Sequence, residues 1–234
     1  MSSTLKLAYW NIRGYAEAIR TLLRYTQTPF EDVRHEFGTG DAFPTRDLWF
    51  KEKFTHGLDF PNLPYLIDGD FKISQSIAIL KYLARQHNLL DSSSPQVLAH
   101  QEMLETQLLD IRTRLINALY NTVYPTEEDW QAERGNVLKD LAVWLGQLEA
   151  WLAKENKSWL AGDKLTYVDF LAYEILDWYR ELIQADCLEP FTLLSAYVAR
   201  FEELPQLKEY LGSDEYRKAH ILSPWARLGY RSEV

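Results

Sequence analysis

The first part of the chain contains apolar residues at two different spacings, which predict strands and helices in turn. Residues 5–9 alternate apolar and polar positions and predict a β-strand, whereas residues 16–25 place apolar side chains three and four apart and predict a helix. Residues 31–37 predict a second strand, residues 38–45 a loop, and the charged residues 46–54 a short helix. This order predicts a β-α-β unit whose two strands pair in parallel.

A hairpin and a further helix are predicted next. The β-favouring runs 65–67 and 71–73 flank residues 68–70, a turn sequence in which Gly69 can take a positive φ. A helix with an inward apolar face follows over residues 75–86. Together with the β-α-β unit, the hairpin predicts a small α/β domain with a mixed four-stranded sheet.

Beyond residue 96 the pattern predicts helices only. Long amphipathic runs cover residues 97–122 and 127–154, with Pro125 as the break between them, and a more apolar, central helix is expected over 166–183. Thr166 and Asp169 match a capping box. Shorter helices are predicted over 192–204 and 205–210, and residues 213–234 are expected to lie over the surface. We therefore predict an α/β domain over residues 1–87, a linker over 88–95 and an all-helical domain over 96–234.

Composition narrows the class of protein. Apolar residues make up 47% of the 234 residues, enough for a substantial core, and the formal net charge of −9 argues against nucleic acid or an anionic membrane as partner. The single Cys187 permits no intrachain disulfide, which favours a reducing compartment, and we expect it to be a small core residue. Neither a secretory signal nor a long apolar segment is evident, which predicts a cytoplasmic protein without a membrane span.

Residues 62–76 form the most informative stretch, because a turn, a hairpin and a helix start follow one another there. Leu63 precedes Pro64 and is therefore extended, so its backbone can pair with a ligand as an added strand would. Small polar residues at a helix N-terminus favour an anionic group. The stretch predicts a site for a small, peptide-like anion. No metal-ligand cluster and no nucleotide-binding glycine motif is present in the sequence.

Several motifs occur in a fixed order: YWNIRG at 9–14, LWFKEKF at 48–54, GLDFPNLPYLIDG at 57–69, the Gln75-Ser76 pair, and further matches at 105–110 and 159–169. Together they resemble the cytosolic glutathione transferases, most closely the Mu class. The resemblance implies a thioredoxin-like domain followed by an all-α domain. It also implies an enzyme that conjugates reduced glutathione to small hydrophobic electrophiles in detoxification, with no permanently bound cofactor and no metal.

Tyr9 is the candidate catalytic residue. It ends the first predicted strand, where a hydroxyl could donate a hydrogen bond to a thiolate. Lowering a thiol pKa of about 8.5 by about two units requires roughly 2.7 kcal/mol, and one charge-assisted hydrogen bond could supply most of it. From the pattern alone, a half-buried strand aromatic is the alternative. The resemblance implies that Tyr9 is the family's catalytic tyrosine.

The same resemblance implies how glutathione is bound. Arg46, Trp49 and Lys53 are three and four apart, so two cations and an indole share one helix face suited to the glycine carboxylate. Gln75 and Ser76 would receive the γ-glutamyl carboxylate, and ordinary capping by a serine at the helix start is an alternative that could coexist. The implied glutathione-binding residues are Tyr9, Trp10, Arg46, Trp49, Lys53, Asn62, Leu63, Pro64, Gln75 and Ser76.

Two residues are implied to act between subunits. Asp110 matches an acid that reaches the γ-glutamyl amine bound by the partner subunit. Phe60 matches an aromatic key inserted into the neighbouring subunit, and an exposed loop phenylalanine suits an interface anchor. We therefore expect a homodimer.

The electrophile pocket is assigned by position within the resemblance. Its predicted residues are Ile12, Tyr15, Phe37, Arg112, Tyr120 and Leu222, with Ser223 as an alternative to Leu222. Tyr120 matches a second tyrosine that assists addition to epoxides in some Mu enzymes. Asn11 replaces the usual Asp of its motif, and residues 111–125 and the tail depart from common Mu sequences, so acceptor preference is left open.

Two alternatives to conjugation remain at this point. One is a non-catalytic carrier of hydrophobic ligands or a structural relative of the same fold, and the other is a glutathione-dependent isomerase. The retained Tyr9 and the complete tripeptide site favour an enzyme over a carrier. They do not separate a transferase from an isomerase.

Overall fold

The computed structural model describes residues 4–40, 44–121, 123–124, 126–154 and 157–230. Its N-terminal part comprises β1 (Leu5–Trp10), α1 (Glu17–Tyr25), β2 (Phe30–His35), α2 (Asp47–Glu52), β3 (Tyr65–Asp68), β4 (Phe71–Ser74) and α3 (Ser76–Gln86). The strand order is β2-β1-β3-β4, with β1 parallel to β2 and antiparallel to β3, and with β3 and β4 forming a hairpin. The predicted mixed four-stranded sheet is confirmed.

β1 lies inside the sheet and is covered on both faces. Leu7 and Ala8 point to opposite faces, yet both are fully buried. The strand ends at Trp10, which pairs with His35. β2 therefore has no strand partner beyond His35 and ends two residues before the predicted limit. α2 is likewise shorter than the predicted 46–54.

The second part is helical: α4 (Pro95–Tyr120), α5 (Glu127–Ala153), α6 (Tyr167–Leu182), α7 (Thr192–Glu202), α8 (Lys208–Gly212) and α9 (Asp214–Arg217). α4 begins two residues before the predicted 97, because the Ser94 hydroxyl caps the N–H of Val97 and a proline is well tolerated in the first turn. α8 begins three residues after the predicted 205. Pro125, the predicted break, lies outside the described residues. The limits 1–87, 88–95 and 96–234 stay a prediction.

α6 is the central helix of this part, as expected from its apolar composition. Every residue from 167 to 179 is buried. At its start, the Asp169 carboxylate accepts hydrogen bonds from the backbone N–H groups of Thr166 (2.8 Å) and Leu160 (3.0 Å), which confirms the capping box. Cys187, in the connection after α6, is buried in the same core, as predicted. Among the described helices, none is both long and apolar enough to cross a membrane.

Most described residues of the tail are exposed or partly exposed, as predicted, but three of them anchor it in the interior. Tyr216, Ile221 and Leu222 are buried. The backbone carbonyls of His220 and Ile221 accept hydrogen bonds from the N–H groups of Arg13 (2.7 Å) and Gly14 (3.0 Å). The tail therefore closes back on the turn after β1. Its few apolar residues follow neither a helical nor a strand period, so the pattern did not indicate this packing.

A buried ion network joins the same turn to α6 and α9. The Arg13 guanidinium donates to Glu174 (2.8 and 2.9 Å), to Asp177 (2.7 Å) and to the Tyr216 hydroxyl oxygen (2.7 Å). The two carboxylates hold the pKa of Arg13 well above its usual value despite burial. Removing one member would leave an uncompensated charge in the interior, so the network fixes the turn against the helical part.

Candidate active site

Tyr9 lies at the buried centre of the site, near the end of β1. The backbone of Tyr15 lies beside its hydroxyl oxygen and acts to lower the pKa of the phenol. Burial raises the pKa of Tyr9 far above its usual value, and the Tyr15 backbone opposes this effect only in part. At neutral pH the phenol therefore keeps its proton and can act as a hydrogen-bond donor.

Gly14 allows the turn after β1 to approach the Tyr9 ring. Its φ of +43° lies in the left-handed region. A Cβ at this position would lie 2.6 Å from Cε1 and 2.8 Å from the hydroxyl oxygen of Tyr9, closer than carbon atoms can approach. The position and rotamer of Tyr9 therefore depend on a glycine here.

Two cavities meet at Tyr9. The first cavity has a volume of about 410 Å³, and Tyr9, Trp10, Tyr15, Asn62, Leu63, Pro64, Gln75, Ser76, Ile77 and Arg112 line it. The second cavity has a volume of about 340 Å³, and Tyr9, Trp10, Ile12, Gly14, Tyr15, Phe37, Arg46, Ile116, Tyr120, Trp178, Leu222, Ser223 and Trp225 line it. Tyr9, Trp10 and Tyr15 belong to both linings, so a group beside Tyr9 can be reached from either side.

The wall of the first cavity exposes backbone donors. The Leu63-Pro64 peptide bond is cis, and Gln75 has a φ of +78° just before α3. No side-chain hydrogen bond is formed at the Gln75 cap, and the Ser74 hydroxyl donates instead to the Phe60 carbonyl (2.6 Å). Capping by Ser74 is thus not observed. The first N–H groups of α3 face a cavity suited to an anion.

The Asn62 side chain occupies the Leu63 N–H that was predicted to pair with the ligand backbone. Its side-chain oxygen accepts a hydrogen bond from the Leu63 N–H at 3.0 Å. A ligand that pairs with this N–H would have to displace the Asn62 carboxamide. The Leu63 backbone remains next to the cavity, where the sequence placed it.

The three residues predicted on one face of α2 have different surroundings. Trp49 is only 3% exposed and stacks on His56 and Tyr65, with ring centroids 5.6 and 6.1 Å apart. The Arg46 guanidinium lies 4.9 Å from the Trp225 ring, where it lines the second cavity. The Lys53 ammonium lies 5.9 Å from the ring of Phe50. A fully solvated cationic face is therefore not present, since the indole is packed into the core.

The second cavity is mainly aromatic. Phe37 stacks on Trp10 with centroids 4.6 Å apart and meets the edge of Trp225 at 5.3 Å. The Tyr120 hydroxyl contacts the Ser223 hydroxyl (2.9 Å) and accepts the Ser223 N–H (3.1 Å). This bond ties the tail to α4. The cavity thus offers flat apolar walls with polar groups at Tyr9 and Tyr120.

Arg112 differs from the other residues predicted for the electrophile pocket. Ile12, Tyr15, Phe37, Tyr120 and Leu222 line the second cavity, and Ser223 lines it too. Arg112 lines the first cavity, with its guanidinium carbon 4.5 Å from the Tyr15 ring centroid. Its charge is therefore placed beside Gln75 and Ser76 rather than beside Phe37.

Asp110 and Phe60 lie on the surface of the described chain. Asp110 is an exposed residue of α4. The Phe60 ring is 77% exposed in the loop before β3. Both are accessible for contacts with another molecule.

Four residues of the second cavity are absent from the predicted site residues, and Gly14, described above, is one of them. Ile116 lies one helical turn from both Arg112 and Tyr120 on α4, so helical spacing could have identified it. Trp178 is placed by α6, where it donates to Glu174 at 2.6 Å. Trp225 is placed by the tail. No local signal marks either tryptophan as a cavity residue.

Family models and individual relatives that match this chain are described as glutathione S-transferases. Residues 5–85 match the family described as glutathione S-transferase, N-terminal domain, and residues 109–214 match glutathione S-transferase, C-terminal domain. The chain is 42% identical to glutathione S-transferase Mu 1 of Mus musculus over 220 residues, 94% of this chain and 96% of that protein. It is 41% identical to glutathione S-transferase Mu 3 of Homo sapiens over 227 residues, 97% of this chain and 96% of that protein.

Solved structures give the same picture. The chain resembles the crystal structure of the glutathione S-transferase Blo t 8 with a TM-score of 0.89 and 50% identity, covering 96% of this chain and 100% of that chain. It also resembles a Pi-class glutathione S-transferase of Onchocerca volvulus with a TM-score of 0.79 and 29% identity, again covering 96% and 100%.

Proposed function

The chain belongs to the glutathione S-transferase family, and on that premise we propose that Tyr9 activates the thiol of a glutathione molecule held in the first cavity. The protein is a glutathione transferase, with Mu-class relatives of similar length. It conjugates the thiolate of reduced glutathione to small hydrophobic electrophiles. The observation that carries the residue assignment is the shared wall: Tyr9 faces the first and the second cavity at once.

The activation step needs only a hydrogen-bond donor. The thiol loses its proton to solvent, and the protonated Tyr9 hydroxyl donates to the resulting thiolate. The Tyr15 backbone supports this role, because it lies beside the hydroxyl oxygen and favours negative charge there. The thiolate then attacks an electrophile in the second cavity, which requires no covalent bond to the protein. Holding both reactants side by side supplies much of the rate.

Binding of the tripeptide is assigned to the first cavity and its rim. The N-terminus of α3, with Gln75 and Ser76, would receive the γ-glutamyl carboxylate. Leu63 would pair with the cysteinyl backbone after Asn62 releases its N–H. The remaining proposed contacts are those of Trp10, Pro64, Arg46, Trp49 and Lys53, the last three at the glycine end.

The acceptor is assigned to the second cavity. Flat aromatic side chains line it, which favours planar apolar electrophiles. The Tyr120 hydroxyl could donate to an oxygen that becomes negative during addition. The Mu-class relatives and the retained Tyr9 favour conjugation over carriage of hydrophobic ligands.

The assembly and location are proposed in the same way. We propose a cytoplasmic homodimer in which Phe60 inserts into the partner subunit and Asp110 reaches the ligand bound there. The exposure of both side chains supports this role. Glutathione is the co-substrate.

Tyr9→Phe tests the proposed function. Glutathione bound to the wild-type protein should show thiolate absorbance in the ultraviolet near neutral pH. The variant should lose this band at that pH and lose about 10- to 100-fold in kcat/KM, the effect of one hydrogen bond to a charged group. Its affinity for glutathione should change little.

Tyr82→Phe is the matched control, because that hydroxyl donates to Asp68 on the surface of the hairpin. It should behave like wild type. A Tyr9→Phe protein that keeps the full conjugation rate would refute the assignment. A wild-type protein that binds hydrophobic ligands but shows neither thiolate band nor turnover would support the carrier alternative instead.

A further inference from the structure

Arg112 is a partly buried cation that faces the first cavity. It projects from α4 and stacks on the Tyr15 ring, its guanidinium carbon 4.5 Å from the centroid. It lines the same cavity as Tyr9, Gln75 and Ser76. Within the described part of the chain, no carboxylate lies within ion-pair distance of this guanidinium.

Four other sheltered arginines have acidic partners, whereas Arg134 donates to the Ile183 carbonyl. Arg13 pairs with Glu174 and Asp177, and Arg20 pairs with Glu17 and Asp32. On α4 itself, Arg114 pairs with Glu133 at 2.6 Å and with Asp140 at 2.7 Å. Arg180 pairs with Asp177 and Glu202. Arg112 therefore differs from these four arginines, because no carboxylate of the described residues balances its charge.

The surroundings of Arg112 do not compensate its charge. Burial lowers the pKa of its guanidinium, and the ionisable groups that oppose this shift are the phenols of Tyr15 and Tyr9. The Tyr9 phenol keeps its proton at neutral pH because burial raises its pKa, so it supplies no negative charge. A cation withdrawn from water without a counter-charge is unfavourable. An anion entering the first cavity would remove this cost.

Two anionic groups of glutathione could serve as that counter-charge. The γ-glutamyl carboxylate would lie at the N-terminus of α3, where the first backbone N–H groups of the helix can donate to it. The thiolate would lie at Tyr9, and Arg112 lines the same cavity: its guanidinium stacks on the ring of Tyr15, which lines both cavities together with Tyr9. Tyr9 donates only one hydrogen bond, so the thiolate otherwise lacks a full counter-charge.

We propose that Arg112 is a second thiolate-stabilising residue, which supplies the positive charge for the sulfur that Tyr9 contacts by a hydrogen bond. This inference rests on the proposed function of the first cavity. The thiol proton leaves to solvent, and no bond between protein and ligand is made. Arg112 acts on the nucleophile rather than on the electrophile.

The test is a spectroscopic titration of the thiolate in the glutathione complexes of wild type, Arg112→Gln and Arg112→Lys. Arg112→Gln should raise the apparent pKa of the bound thiol by about one unit, the lower end of the effect of an adjacent opposite charge. Its kcat/KM should fall about tenfold at pH 6.5 and approach the wild-type value near pH 9, where the thiol ionises unaided. Arg112→Lys should retain most of the wild-type behaviour, and the dissociation constant for S-methylglutathione should change less than about threefold.

Arg114→Gln is the matched control, since it removes the same group from the same helix on the side that faces α5. It should leave the titration unchanged. An unchanged thiol pKa in Arg112→Gln overturns the inference. Weaker binding of S-methylglutathione would then indicate that Arg112 contacts a carboxylate of the ligand. A rise in the KM of the acceptor alone would indicate that Arg112 contacts the acceptor. If the wild-type complex itself shows no thiolate, the proposed function fails and not merely the role of Arg112. If Arg112→Gln does not fold, the same titration is performed with Arg112→Met, which also removes the charge, and with Arg112→Lys, which keeps it.

Discussion

The first and second cavities share Tyr9, Trp10 and Tyr15 but are built from very different parts of the chain. Most other residues of the first cavity come from the short stretch 62–77, with Arg112 of α4 as the exception. The second cavity combines the end of β1, the segment after β2, α4, α6 and the tail. A cavity formed mainly by one local stretch keeps its shape when other parts of the chain are substituted. The shape of a cavity assembled from distant segments can change with a substitution in any of them. The nucleophile side is therefore expected to be rigid and the acceptor side adaptable.

Gly14→Ala should have the largest effect, because it disturbs the wall that both cavities share. An added Cβ would overlap the Tyr9 ring and would hold an L-residue at positive φ. We expect a loss of at least about 100-fold in kcat/KM and a loss of about 2–4 kcal/mol in unfolding free energy. Activity assays and denaturant unfolding measure the two quantities.

Gly135→Ala is its control. A Cβ there meets nothing within 4 Å, and Gly135 lies in the interior of α5. The substitution should leave activity unchanged and stabilise the protein by up to about 1 kcal/mol. Equal effects of the two alanines would show that Tyr9 does not depend on its contact with Gly14.

Trp225→Ala should separate the two cavities with an intermediate effect. The indole contacts Phe37 and Arg46 from the tail. Its loss should raise the KM of aromatic acceptors about tenfold, as expected when an aromatic contact is removed, while the affinity for glutathione changes less than about threefold. Trp144→Ala, on α5, should leave both constants unchanged. A larger effect on glutathione than on the acceptor would contradict the division of roles.

A histidine next to Trp49 should give the smallest effect, confined to the proposed glycine end of the glutathione site. His35 meets Trp49 edge-on at 5.4 Å, and its Nδ1 lies 3.0 Å from Glu52. Burial lowers the pKa of His35, an effect that Glu52 opposes. The folded state therefore favours neutral imidazole, and this contribution to stability is present above pH 6.5 and lost as the pH falls through the lowered pKa.

We therefore expect affinity for S-methylglutathione, which has no ionisable thiol, to weaken about two- to threefold between pH 7.5 and 5.5. Titration calorimetry of the wild type and His35→Gln measures this change, and the variant should show a flatter profile. His100→Gln, on α4, should follow the wild type. A profile that is identical in all three proteins would exclude a contribution from His35.

The sequence predicts the first cavity better than the second for a physical reason. The turn and the hairpin depend on local rules for Pro64 and Gly69, which act within a few residues. The place of Tyr9 at the end of β1 follows from the strand pattern, whereas its catalytic role was predicted from the family resemblance. The positions of Trp178 and Trp225 depend on tertiary packing, because neither side chain stands in a pattern that differs from an ordinary core or surface tryptophan.

The same distinction applies to the fold. Strand and helix order, the sheet and the central α6 follow from periodicity and capping. The ends of β2 and α4 depend on pairing and capping partners. The burial of the tail depends on Tyr216, which meets Arg13 across 203 positions of sequence. No window of local sequence contains both residues.

The contacts between the tail and the turn after β1 also bear on synthesis. Proteins are made from the N-terminus, so Tyr9 and Gly14 leave the ribosome long before His220 and Ile221, whose carbonyls anchor the turn. A nascent chain can form its sheet while Tyr9, the proposed catalytic residue, still lacks this support. Competence for catalysis therefore arises late, when the last helical segments have been released and folded against the first strand.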